Sequence, residues 1–224
     1  MSMLSNLDLI RRVPLFAMLT PAQAESLAGA VTKKRFKRGE FLVEQGKNCE
    51  SLFIILAGRA RVVVTDRRDR EVILATMHAG DYVGEMSLID QEPHSASVEA
   101  EVQTDALVLE GAEFTRCLLE NTSTVSAVMR GLVQRLRSAD RKIESLALMN
   151  VYGRVANVLM EAAPADENNV RIIRDKISRQ DIAKMVGASR EMVSRVMKDF
   201  EEQGFVETRK DGSLLIKDRR LKPR

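Results

Sequence analysis

Two cysteines, two histidines and no apolar run long enough to cross a bilayer set the first limits on this 224-residue chain. Cys49 and Cys117 are too few for a four-thiolate cluster and too far apart for a Cys-x-x-Cys site, so both read as structural. His78 and His94 are isolated, without a cluster of Cys, Asp or Glu at ligand spacing, which argues against haem or a metal centre. Neither a nucleophile–base arrangement nor a Walker-type phosphate loop appears, so the chain does not read as an enzyme, and no covalently bound cofactor is expected. The start, MSMLSNLDLIRR, lacks the charged-then-apolar order of a signal peptide. The expectation is a cytoplasmic protein with no membrane partner.

What is present is 45% hydrophobic content, enough for real cores, over a length that favours two domains. The net charge of +3 hides an asymmetry. Residues 171–224 hold fifteen Lys and Arg against nine Asp and Glu, a balance of +6, and residues 1–170 carry −3. A basic C-terminal end fits contact with phosphates.

That end holds the most informative stretch, Arg179–Lys198, RQDIAKMVGASREMVSRVMK. Ile182, Ala183 and Val186 form the inner face of a first helix, Gly187 frees the backbone for a turn, and Ser189 caps a second helix. Met192, Val193 and Val196 are expected to face inward at helical spacing. Ala183 keeps the crossing close. Arg190, Glu191, Ser194, Arg195 and Lys198 are left outward, and two guanidinium forks with a carboxylate can read guanine O6/N7 and cytosine N4. After Glu202-Gln203-Gly204, Phe205–Arg209 and Leu214–Lys217 alternate like strands around an Asp211-Gly212 turn. A helix-turn-helix followed by a hairpin is a winged helix.

Upstream, Thr20 and Pro21 open a short helical lead-in. From about Phe36 to Leu109, short apolar or alternating runs are punctuated by glycines 39, 46, 58, 80 and 84, predicting a compact antiparallel β-roll. Arg67-Arg68-Asp69-Arg70 reads as a solvated hairpin tip. Glu113–Leu119 begins a helical region, and a long helix runs from about Ser123 to Leu148. Its Val125, Met129, Leu132, Leu136, Ala139, Ile143 and Leu146 alternate spacings of four and three, the seam of two parallel helices, so a homodimer is expected. A twofold dimer would present two reader helices to successive major grooves. Tyr152–Ala163 reads as another amphipathic helix and residues 164–169 as a polar loop. Asn150 and Gly153 place a hinge near Met149–Gly153.

This order resembles the cyclic-AMP receptor protein and FNR superfamily of bacterial transcription regulators, over essentially the whole chain. The most specific matches are GDYVGEMSL at residues 80–88, ISRQDI at 177–182 and SREMVSR at 189–195. The resemblance implies an α+β fold with an N-terminal helix and cyclic-nucleotide-binding-type β-roll (1–122), a dimerisation helix (123–149) and a C-terminal winged helix-turn-helix (150–224). It implies that Arg190, Glu191 and Arg195 contact bases of TGTGA-like half-sites in a palindromic operator on double-stranded DNA, with Arg179, Gln180 and Ser189 near phosphates and RNA polymerase as a partner. In the roll it implies an effector site at Gly84, Glu85, Met86 and Ser87, with Glu85 taking a ribose hydroxyl. The family's Arg-Ser-Ala stands here as His94-Ser95-Ala96, and a mostly neutral imidazole cannot offer the bidentate fork of arginine to a phosphate. The family's adenine-contacting Thr-Ser stands as Ala139-Asp140, and a carboxylate only accepts. Asp140 instead matches guanine N1–H and N2–H, with Arg137 and Arg141 beside it for bases or phosphates. The expected effector is therefore cyclic di-GMP or cyclic AMP. The alternative is a regulator of the same fold that binds DNA without an effector.

Overall fold

The computed structural model describes residues 5–48, 50–163, 170–174, 177–209 and 211–217, and the chain divides into two compact units, Met1–Leu136 and Arg137–Arg224. In the first unit, helices α1 (Asn6–Ile10) and α2 (Pro21–Ala30) begin in capping boxes. Ser5 and Asp8, and Thr20 and Gln23, exchange side-chain and backbone hydrogen bonds, which satisfies N–H groups that a helix start leaves open. Pro21 occupies the first helical position, as its sequence predicts.

Eight strands follow: β1 (Val31–Phe36), β2 (Phe41–Val43), β3 (Ser51–Ala57), β4 (Ala60–Thr65), β5 (Glu71–Met77), β6 (Tyr82–Val83), β7 (Ser97–Ala100) and β8 (Thr104–Glu110). They form two antiparallel sheets, ordered β1-β8-β3-β6 and β2-β7-β4-β5. Period-two alternation explains the packing. Leu52 and Ile54 of β3 and Leu107 and Leu109 of β8 join a core with Ile10, Leu27 and Phe114 of the helices, while Phe36, Ile55 and Ala106 meet Ala60, Met77 and Val98. Gly58 makes one turn possible: its φ is +94°, and a Cβ there would run into the backbone of Gln103 and Thr104.

Helix α3 (Glu85–Asp90) lies between β6 and β7, and α4 (Gly111–Glu120) starts two residues ahead of the periodic stretch at Glu113. Cys117 is buried on α4 and reaches Thr124 Oγ1 at 3.8 Å, burial pushing its thiol pKa up; Cys49 lies outside the described residues. Helix α5 (Thr122–Leu148) has the expected extent. Its outward stripe differs from the predicted seam. Thr124 and Val128 are buried, and Leu132 packs against the roll's own core, so Val133 takes the outward position beside Met129, Leu136, Ile143 and Leu146. The adjacent apolar pair Leu132-Val133 left two registers open, and packing on the roll selected one.

In the second unit, α6 (Val151–Ala162) follows α5 after only Met149 and Asn150. The break between the two helices falls at those two residues, within the stretch Met149–Gly153 where a hinge was expected. Gly153 is inside α6, and its N–H donates to Asn150 Oδ1 at 3.0 Å as part of a helix cap. The predicted polar loop at 164–169 lies outside the described residues. Next come β9 (Arg171–Ile173), α7 (Arg179–Val186), α8 (Arg190–Glu202), β10 (Val206–Thr208) and β11 (Leu214–Ile216). The wing is a three-stranded sheet ordered β10-β11-β9, and β9 is a strand the sequence did not reveal. Val155, Leu159, Ile182, Val193, Val196, Met197 and Phe200 build the core, closed by edge-on rings of Tyr152, Phe200 and Phe205.

Candidate nucleic-acid interface and ligand pocket

The reader is fixed by local chemistry. Ser178 caps α7 by accepting from Asp181 N at 3.0 Å, Gly187 closes it at φ +62°, and Ser189 caps α8 by accepting from Met192 N at 3.2 Å. Ala183 is 2% exposed among Ile182, Val186, Val193 and Val196. One apolar expectation is corrected: Met192 is 36% exposed, while Met197 is fully buried in the core instead. At 100° per residue, Met192 lies at the border of the stripe formed by Val193, Val196, Met197 and Phe200.

Arg190, Glu191, Ser194, Arg195 and Lys198 are all exposed on the opposite face of α8. Among the described residues neither Arg190 nor Arg195 makes a hydrogen bond or salt bridge, so both guanidinium forks are available. Glu191 has its pKa lowered by a backbone N–H at the helix start and by the Ser189 hydroxyl, which keeps an acceptor ionised beside the two cations. Lys198 lies 3.8 Å from Glu202, one turn on. Arg179 is half-buried and 3.7 Å from Glu201, whereas Gln180 and Ser189 are exposed.

The predicted effector residues are divided between the two units. Gly84, at φ +105°, turns the chain so that Glu85 begins α3 pointing inward, 1% exposed. Ser87 Oγ and His94 Nδ1 are 3.1 Å apart and both residues are buried. The backbone around His94 is anchored by His94 N to Lys47 O at 2.9 Å and Gly46 N to His94 O at 2.8 Å. Burial lowers the His94 pKa, so the imidazole is neutral near pH 7. Met86 faces solvent at 46% exposure, Ser95 is exposed and Ala96 is half-buried. Arg137, Asp140 and Arg141 are exposed on α5, in the second unit.

Sequence reasoning missed Arg135. From α5 it donates to Glu85 Oε1 at 2.5 Å and to the Tyr82 carbonyl, and its guanidinium stands 5.2 Å from the centre of the Tyr82 ring. Burial raises the Glu85 pKa, and Arg135 opposes that shift. Glu85 Oε2 and the Tyr82 hydroxyl are buried without a hydrogen-bond partner. The partners are fifty residues apart, and no local pattern marks such a pair.

Among the described residues, no helix is long and apolar enough to cross a membrane, and no group of three His, Cys, Asp or Glu residues is placed to hold a metal ion. Residues 33–121 match the cyclic nucleotide-binding domain family, and residues 153–221 match the Crp-like helix-turn-helix domain family. The chain is 33% identical over 180 residues to the cAMP-activated global transcriptional regulator Vfr of Pseudomonas aeruginosa, covering 78% of this chain and 84% of that protein. It is 30% identical over 168 residues to the cAMP-activated global transcriptional regulator CRP of Salmonella typhimurium, covering 74% of this chain and 80% of that one. A solved structure of CLP, a c-di-GMP responsive global regulator of Xanthomonas campestris, shares the fold with a TM-score of 0.76 at 21% identity, covering 89% of this chain and 100% of that chain.

Proposed function

Because this chain belongs to the CRP-FNR family and is a DNA-binding transcription regulator rather than an enzyme, we propose that it acts as a homodimer reading a palindromic operator with TGTGA-like half-sites, under control of a cyclic nucleotide or dinucleotide. The observation that carries the operator reading is the free Arg190 and Arg195 pair flanking an ionised Glu191 at the capped start of α8. Arg179, Gln180, Ser189, Ser194 and Lys198 supply surrounding polar and phosphate contacts. In solution, Arg190→Ala or Arg195→Ala costs about 1–3 kcal/mol on a TGTGA palindrome and far less on random duplex. Equal losses on both duplexes, measured by fluorescence anisotropy, would refute the assignment.

The outward stripe of Met129, Val133, Leu136, Ile143 and Leu146 supports pairing of two α5 helices. The domain scheme we adopt keeps residues 1–122 as the effector domain, 123–149 as the dimerisation helix and 150–224 as the reader. For the effector, Gly84, Glu85, Met86, Ser87, His94, Ser95 and Ala96 form the roll's share, with Arg137, Asp140 and Arg141 on α5. The named relatives respond to cAMP and the CLP structure to c-di-GMP. Neutral His94 gives the phosphate of either nucleotide no arginine-like grip, whereas a carboxylate at Asp140 accepts from guanine N–H groups, so cyclic di-GMP stands as a leading candidate beside cyclic AMP. RNA polymerase is the proposed protein partner.

One observation favours the second reading, an effector-independent regulator: Arg135 already holds Glu85, and Ser87 already meets His94. Operator isotherms with and without cyclic AMP or cyclic di-GMP separate the two. Effector control requires a difference in affinity, because a ligand equal in both states shifts nothing. Calorimetry of Asp140→Ala against cyclic di-GMP tests the base contact, and undiminished binding removes it.

A further inference from the structure

A glycine in the middle of α5 is out of place for helix formation. At Gly131 a Cβ would overlap the Tyr82 hydroxyl and lie 3.2 Å from Tyr82 Cζ. Its absence is a notch that receives the end of the phenol ring. One turn further along the same helix face, Arg135 closes over the ring and donates to the Tyr82 carbonyl and to Glu85. Gly131 and Arg135 thus hold Tyr82 from two sides. This sets both the rotation and the axial position of α5 against β6, because a one-residue slip would move the notch off the hydroxyl and Arg135 off Glu85.

The structure assigns Tyr82 and Gly131 a positioning role, a notch-and-ring latch that ties occupancy of Glu85 to the placement of α5, and through that helix to DNA affinity. Neither residue touches DNA, and neither is an effector contact in the reading above. The latch is not a permanent weld. It leaves the Tyr82 hydroxyl and Glu85 Oε2 buried and unpaired, a penalty that disfavours this arrangement relative to one where both find partners. A ligand donor that engages Glu85 competes with Arg135, and releasing Arg135 opens one side of the clamp on Tyr82.

The inference rests on the operator reading, so the test keeps the two apart. The full chain is assayed by anisotropy against a TGTGA palindrome and by thermal unfolding at one fixed protein concentration. Failure of the wild-type chain to prefer that palindrome over random duplex overturns the operator reading, and the latch is then scored on stability. Gly131→Ala is expected to lower Tm, although helix propensity alone would raise it, and to change operator affinity by about fivefold or more. Tyr82→Phe keeps the ring and removes the buried unpaired hydroxyl, so the clamped arrangement is favoured and Tm rises. The double variant Tyr82→Leu with Gly131→Ala recovers Tm and affinity relative to Gly131→Ala, and the same rescue supports the latch where Gly131→Ala alone does not fold. A higher Tm in Gly131→Ala, operator affinity within about twofold of wild type, or additive effects in the double variant overturns it.

Discussion

Arg135→Met keeps the aliphatic stem and removes the guanidinium. Glu85 is 1% exposed, its Oε1 is held by Arg135 at 2.5 Å, and its Oε2 has no partner, so the variant strands a buried carboxylate. Breaking a buried pair costs about 3–5 kcal/mol. Arg135 is 41% exposed, and solvent screening brings the expected loss to about 2 kcal/mol at pH 8. The loss depends on pH in a defined direction. Burial holds the Glu85 pKa above its ordinary value, so the folded protein binds more protons than the unfolded chain, and stability falls as pH rises through the folded pKa. Without Arg135 that pKa rises further and the window widens upward. Urea unfolding followed by circular dichroism should therefore show a loss of about 2 kcal/mol at pH 8 that shrinks as the pH is lowered through the raised Glu85 pKa of the variant. Adding Glu85→Gln removes the buried charge and recovers most of the loss at pH 8. An equal loss at pH 5 and pH 8, or no recovery with Glu85→Gln, would show that the ion pair is not what stabilises this junction.

Two further outcomes follow from packing. Ile143→Lys places an ammonium in the outward stripe of α5, and sedimentation equilibrium should show self-association weakened by about tenfold or more if the proposed α5 pairing holds, since two unpaired charges would enter the seam; an unchanged association constant would refute that pairing. Ala183→Leu adds bulk at a residue 2% exposed in the winged-helix core, which costs about 1–3 kcal/mol and lowers operator affinity, whereas an unaltered Tm would mean that the α7–α8 crossing has room to spare.

The reader was legible because its determinants are local. Gly187 and Ser189 act within three or four residues of themselves, and the core of α8 repeats at helical spacing. Met192 broke the pattern because it lies at a stripe border, where periodicity alone does not decide exposure. Strand β9 escaped notice because three residues, Arg171–Ile173, become a strand only by pairing with β11 some forty residues later. The outward face of α5 needed the roll itself, since only contact with that core distinguishes Leu132 from Val133. At the proposed ligand pocket Gly84 and Glu85 came from the family resemblance, but Arg135 could not be found that way: its partners lie in a different element, and an arginine on a long charged helix carries no mark of its own.

Strand β1 ends its sheet, and its outer edge carries Lys33, Lys34 and Arg35 in succession, all exposed. A bare edge offers unpaired backbone groups to any passing strand, and adding one here would crowd it against Lys33, Lys34 and the Arg35–Asp105 ion pair. The edge therefore resists open-ended strand addition.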